Sequence, residues 1–324
     1  MGDILELTSE QMQFAESLKS VARNLEIKSF IQQSPELYSL FQRAAKQFVT
    51  GKFKEDGISV GNKLIQKGYQ ISLEFIGENT ASKEECVQAK DEFLSLIRES
   101  GKQGLNTRIS FDLSHIGLAV DSELAFQHLL EMAKAANNYG LSLMISAEES
   151  NKIEQILSVY KKAVAQYSNI GITIQAQLHR SLDDIKELLN YSGSIRLVKG
   201  AFQEPNDICI PRSEELDERY LELVDLCVEA NQWVSIASHD ESIHKKVIDR
   251  GYLQKPNVEA ELLYGIRPEL SRQLKEEGLP VRVYLTYGSE WYLYLIHRIA
   301  EYPPNIYGAI TDIIKGAESP LQLY

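Results

Sequence analysis

From Ile71 onward, short apolar runs alternate with longer amphipathic stretches. The runs are ISLEF (71–75), RISFDL (108–113), LSLMIS (141–146), ITIQA (172–176), IRLVK (195–199), WVSIAS (233–238), VEAELL (258–263) and VRVYL (281–285). Their length and their β-branched and aromatic content predict strands. Segments such as KEECVQAKDEFLSLIRES, SELAFQHLLEMAKAANNYG and KIEQILSVYKKAVAQY repeat apolar positions every three or four residues, which predicts helices. Strand and helix in strict alternation imply βα units and a parallel sheet. Eight units in about 250 residues fit a (β/α)8 barrel. A doubly wound sheet alternates too, so periodicity alone leaves both open. The fold read from the whole chain is α/β: one (β/α)8 TIM-type barrel over residues 66–324 behind an N-terminal helical arm over residues 1–65. In the arm, FAESLKSVARNLE and PELYSLFQRAAKQFV have helical spacing, and Ser34-Pro35 is a candidate N-cap and first helical residue.

In such a barrel the chemistry sits at the C-terminal strand ends. That rule selects Asp112, Ser146, Gln175, Lys199, His239, Leu263 and Tyr284. Polar residues also end strands merely because strands end at the surface. After the last run the chain turns at Tyr287-Gly288 and enters a second helix-like pattern. Spacings of three and four put Tyr294, His297, Arg298 and Glu301 on one face of it. An aromatic ring, two basic groups and a carboxylate therefore project together, either as a solvated face or as a site.

Composition narrows the function. A net charge of −12 argues against nucleic acid and against anionic membrane surfaces. No apolar run approaches a membrane span. Three cysteines, Cys86, Cys209 and Cys227, lack metal or CxxC spacing and read as reduced, buried thiols of a cytoplasmic protein. The six histidines show no HxH or HExxH pattern, so no metal is expected. Neither GxGxxG nor a P-loop is present. Lys199-Gly200, with Arg196 on the same strand, suits a phosphate or a reduced, anionic ring. His239 reads as a general base, a stacking partner or a histidine satisfied within the fold.

Taken together, IRLVKGAFQEP, SIASHD, ELLYGIRPEL and VRVYLTYGSEWYLYLIHRIAEYPPN resemble the successive core motifs of proline dehydrogenase. ISLEFIGE, RISFDLS and TIQAQLHRS fall where the family's earlier barrel motifs fall. The resemblance implies a (β/α)8 barrel that holds FAD and takes a hydride from the carbon next to the ring nitrogen of L-proline. Electrons then pass to a quinone-type or other acceptor, which would make the protein peripheral to a membrane where that acceptor is membrane-borne. It also implies cofactor roles for Gln175, Arg196, Lys199, Gly200, Ala201, His239 and Glu301. Leu263, Tyr284 and Tyr294 match the substrate wall, and Arg298 matches one of two adjacent arginines that bind the substrate carboxylate.

Four positions depart from the family pattern. His297 replaces the first arginine of that pair, Asp112 a lysine, Ser146 an aspartate and Glu261 a glutamine. A histidine lacks the fixed charge and paired donors of arginine. Asp112 would repel a carboxylate unless it is protonated or paired, and Arg108 is one candidate partner. The implied substrate is L-proline, a proline-like amine or a different amine. Readings from other classes are a flavin-binding protein without turnover, or a barrel lyase or isomerase using Lys199 as nucleophile.

Overall fold

A computed structural model describes residues 10–11, 13–14, 17–18, 24–77, 80–200, 202–301, 305–315 and 320–324. Within that span the side chains of His297 and Glu301 are not described, and Ala201 falls outside it. The helix expected over FAESLKSVARNLE and the ends of the ISLEFIGE and IAEYPPN segments lie wholly or partly outside it as well.

Eight parallel strands close into a barrel in sequence order. They are β1 (Gln70–Phe75), β2 (Thr107–Phe111), β3 (Ser142–Ile145), β4 (Ile170–Gln175), β5 (Ile195–Val198), β6 (Val234–Ala237), β7 (Val258–Leu263) and β8 (Val281–Tyr287). β8 closes the ring on β1, with Ile71 opposite Val283 and Leu73 opposite Leu285. The expected barrel is therefore present, and the open sheet is excluded.

The period-two pattern of the strands sets the layers. One set of positions, including Ile71, Leu73, Ile109, Ile172, Leu197 and Val283, joins the main apolar core. The alternate set is polar: Ser72, Arg108, Ser110, Thr173, Arg196, Ser235, Glu259, Glu261 and Arg282 are all buried and bond one another across the barrel. The interior is thus ionic rather than filled by branched aliphatic side chains.

Between the strands run α4 (Lys83–Lys102), α5 (Ser122–Asn137), α6 (Ile153–Val164), α7 (Ser181–Leu188), α8 (Glu214–Glu229), α9 (Glu241–Asp249) and α10 (Pro268–Glu276). They follow α1 (Leu25–Gln33), α2 (Pro35–Ala45) and α3 (Lys54–Gln66) and precede α11 (Trp291–Glu301) and α12 (Asn305–Lys315). α4 begins with a capping box between Ser82 and Glu85. Ser34 has the extended backbone of an N-cap ahead of Pro35, but its side chain makes no cap bond. Although α3 lies within the span assigned to the arm, its Ile58 and Leu64 belong to the barrel core.

The arm has a second apolar cluster. Ile31 of α1 and Ala44 and Ala45 of α2 pack with Trp291, Leu295 and Ile299 of α11 and Ala309 of α12. Tyr38 meets Trp291 edge-on at 5.1 Å and accepts its indole N–H at 3.3 Å. This cluster is what fixes α11 over the C-terminal end of the barrel.

Gly265, after β7, joins the two cores. Its φ is +76°, and a Cβ there would lie 1.9 Å from the Gln47 carbonyl oxygen. Gly265→Ala should destabilise the fold by about 3 kcal/mol, combining the left-handed penalty with overpacking. A thermal melt within a degree or two of wild type would show that arm and barrel are not locked there.

Candidate active site

The strand ends gather most of the selected residues at one mouth. Leu263 and Tyr284 are register partners on β7 and β8, so their side chains stand together. Leu263 also packs against the α11 cluster, as does Tyr294. Arg298 lies one helical turn from Tyr294, with its guanidinium carbon 4.9 Å from that ring. Arg196 lies beneath Tyr284, 4.8 Å from its ring centre.

Arg196, read from the sequence as a cation for a ligand, is ion-paired within the barrel. It is 4% exposed and grips Glu261 with two hydrogen bonds, Nε to Oε2 at 2.9 Å and Nη2 to Oε1 at 2.7 Å. Nη2 also donates to Ser110 at 2.9 Å, whereas Nη1 makes only a 3.5 Å contact with Thr173. A guanidinium away from water needs a planar carboxylate, and β7 supplies one across the barrel. Lys199 is likewise committed: it pairs with Asp240 at 2.7 Å and with Asp217. Arg108 pairs with Glu259 at 3.0 Å and Glu261 at 3.1 Å, not with Asp112 as the sequence suggested.

The mouth also carries three acidic residues, Glu74, Asp112 and Glu148, on or just after β1, β2 and β3. Burial raises the Glu74 carboxyl despite its bond from the Tyr284 hydroxyl and the charges of Arg196 and Arg298. Burial, then Glu148 and Glu74, push the Asp112 carboxyl well above the ordinary range, and Lys152 only partly offsets them. Glu148 accepts the Ser114 backbone N–H at 3.0 Å and pairs with Lys152 at 3.0 Å. Sequence reasoning missed Glu74 and Glu148, and it singled out Glu261 without pairing it with Arg196. Charged residues at alternate positions inside the β-runs were the available signal.

Among the described residues near the strand ends, Gln175, His239 and Gly200 bear on what the mouth could hold. Gln175 is 4% exposed; its Nε2 donates to the Glu148 carbonyl at 2.9 Å, but its Oε1 has no partner. His239 Nε2 accepts the Leu263 N–H at 3.4 Å, so Nδ1 carries the ring proton, and that buried donor also has no partner. Gly200 has φ +121°, and a Cβ there would collide with the Gln177 side chain at 2.2 Å. An unpaired buried acceptor and an unpaired buried donor fit a bound polar heterocycle such as a flavin. Among the described residues, no group of His, Cys, Asp and Glu has metal-site geometry, and no helix is long and apolar enough to cross a membrane.

The sequence pattern of the proline dehydrogenase family matches residues 58–303. Proline dehydrogenase 1 of Bacillus subtilis is 31% identical over 274 residues, covering 84% of this chain and 91% of its own length. Proline dehydrogenase of Deinococcus radiodurans is 31% identical over 280 residues, covering 84% and 90%. Among solved structures, proline utilization A from Bdellovibrio bacteriovorus, inactivated by N-propargylglycine, superposes with a TM-score of 0.74 at 15% identity. That match covers 97% of this chain and 43% of the other, and it speaks to fold alone.

Burial, followed by the charges of Arg298, His244 and Arg267, lowers His239 to about 3. The folded state therefore binds fewer protons than the unfolded one between pH 6.5, the ordinary histidine value, and about 3. Stability from neutral His239 is complete above that window and is lost as pH falls through it. The advantage of wild type over His239→Gln in urea melts should shrink by up to about 1.4 kcal/mol per pH unit below pH 6.5. A difference that stays constant from pH 7 to 5 would contradict a buried neutral ring.

Proposed function

The chain belongs to the proline dehydrogenase family of oxidoreductases, and from that premise we propose that it oxidises the C–N bond of L-proline or a proline-like amine to the imine with FAD held at the barrel mouth. The observation that carries the proposal is the pair of unsatisfied buried groups on Gln175 and His239, two residues to which the family resemblance gives cofactor roles. FAD supplies a two-electron acceptor for the hydride. Gln175 and His239 offer an acceptor and a donor to its polar edges, and Arg196 offers its least engaged nitrogen. Lys199 meets a phosphate by exchanging one of its two carboxylate partners. Ala201 and Glu301 are proposed to complete the cofactor site. Arg298 anchors the substrate carboxylate, with His297 beside it in the helix. Leu263, Tyr284 and Tyr294 exclude water from the reacting carbon. A neutral amine needs no protein base. The electrons leave for a quinone-type or other acceptor, and the protein works in the cytoplasm or at a membrane face. Lys199, ion-paired at both sides, is poorly suited to the nucleophilic role of a lyase.

The acidic residues of the mouth bear on the choice of amine. Asp112 has no ion-pair partner among the described residues, so a carboxylate-bearing substrate meets either its charge or its proton. Burial and its acidic neighbours favour the protonated form of Asp112, so the loss is that of the charged donor, roughly 1.5–3 kcal/mol, and proline affinity falls about tenfold to a hundredfold.

Purified protein reconstituted with FAD should show a flavin spectrum that bleaches anaerobically with L-proline or a close analogue. Lys199→Ala should weaken FAD retention about tenfold. Absence of any FAD binding would defeat the proposal, and binding without bleaching by any amine would leave a flavoprotein without turnover. The double change Asp112→Lys with His297→Arg should raise kcat/KM for proline at least tenfold; no gain would refute the role given to those positions.

A further inference from the structure

We infer that Glu261 is a positioning residue that sets the reduction potential of the bound flavin by acting through Arg196. The inference rests on the flavin reading above and deepens it. Glu261 is 3% exposed and lies in the barrel interior beneath the mouth. Both its oxygens are used: Oε1 by Arg196 and by Ser72 at 2.9 Å, Oε2 by Arg196 and by Arg108 at 3.1 Å. Burial alone would raise its carboxyl; the charges of Arg196 and Arg108 outweigh burial and hold it below the ordinary range.

Two consequences follow from this geometry. The bidentate grip fixes the guanidinium plane and occupies Nε and Nη2, leaving Nη1 as the nitrogen least engaged by the protein. The negative charge also offsets the field that Arg196 would present to anything resting above it. A flavin gains negative charge on reduction, so a bare cation would favour the reduced form and a compensated one favours it less. The interior network holds three guanidinium groups, Arg108, Arg196 and Arg282, against two carboxylates, Glu259 and Glu261. Neutralising Glu261 therefore raises the network's excess of positive charge from one to two, while neutralising Arg108 leaves Glu261 more fully opposed to Arg196.

The two substitutions should move the potential in opposite directions, which a purely structural role would not do. Spectroelectrochemical titration of FAD-loaded protein should give a higher midpoint for Glu261→Gln, with the reduction equilibrium shifted about tenfold, or about 30 mV for a two-electron couple. Arg108→Gln should give a lower midpoint. If Glu261→Gln does not fold, the downward shift in Arg108→Gln decides the matter alone. Midpoints that stay at the wild-type value, or that move together, overturn the inference and leave the flavin reading intact. Wild-type protein that takes up no FAD overturns both.

Discussion

The structure depends on a carboxylate and a guanidinium buried together inside a closed ring of strands. Arg196 on β5 and Glu261 on β7 are not sequence neighbours or adjacent strands, yet they make a bidentate pair at 2.7 and 2.9 Å. Neither charge tolerates burial alone, because an unpaired ion in a protein interior costs several kcal/mol. Closure of the barrel supplies the partners, and the partners in turn constrain closure. Ser72 and Arg108 tie β1 and β2 to the same carboxylate, and Ser110 ties β2 to the same guanidinium. What stands at the mouth stands on this ionic floor.

Above it the mouth is held from the opposite side. There α1 and α2 pack α11 through Trp291, Leu295 and Ile299, and α11 carries Tyr294 and Arg298. Two independent supports, one ionic and one apolar, thus meet where Tyr284 rests over Arg196 and Tyr294 lies beside Arg298. Side chains fixed from both directions lose little further freedom when a ligand arrives, which favours preorganised electrostatics at the reacting carbon.

The barrel was legible because its outward positions are apolar at period two while the helices between repeat at three and four. Strand limits shifted by only a few residues, as where β8 runs on to Tyr287. The pairings inside were not legible. VEAELL displays two glutamates and IRLVK an arginine, but their contact requires ring closure, which no local window contains. For the same reason Lys199 looked available, although Asp217 and Asp240 from α8 and the α9 cap take its ammonium. Arg108 and Asp112 lie four residues apart and suggested a local pair, but the pleat and the longer reach across the barrel give Arg108 to Glu259 and Glu261 instead. Residues marked by type, such as Gln175 and His239, can be singled out from the sequence; pairings that depend on distant partners cannot.

The most direct measurement is a crystal structure of the protein grown with FAD. The account predicts flavin density at the C-terminal mouth in contact with Gln175 and His239, with Arg196 still bidentate on Glu261. Flavin bound elsewhere, or an Arg196 that has left Glu261 to meet it, would contradict the account.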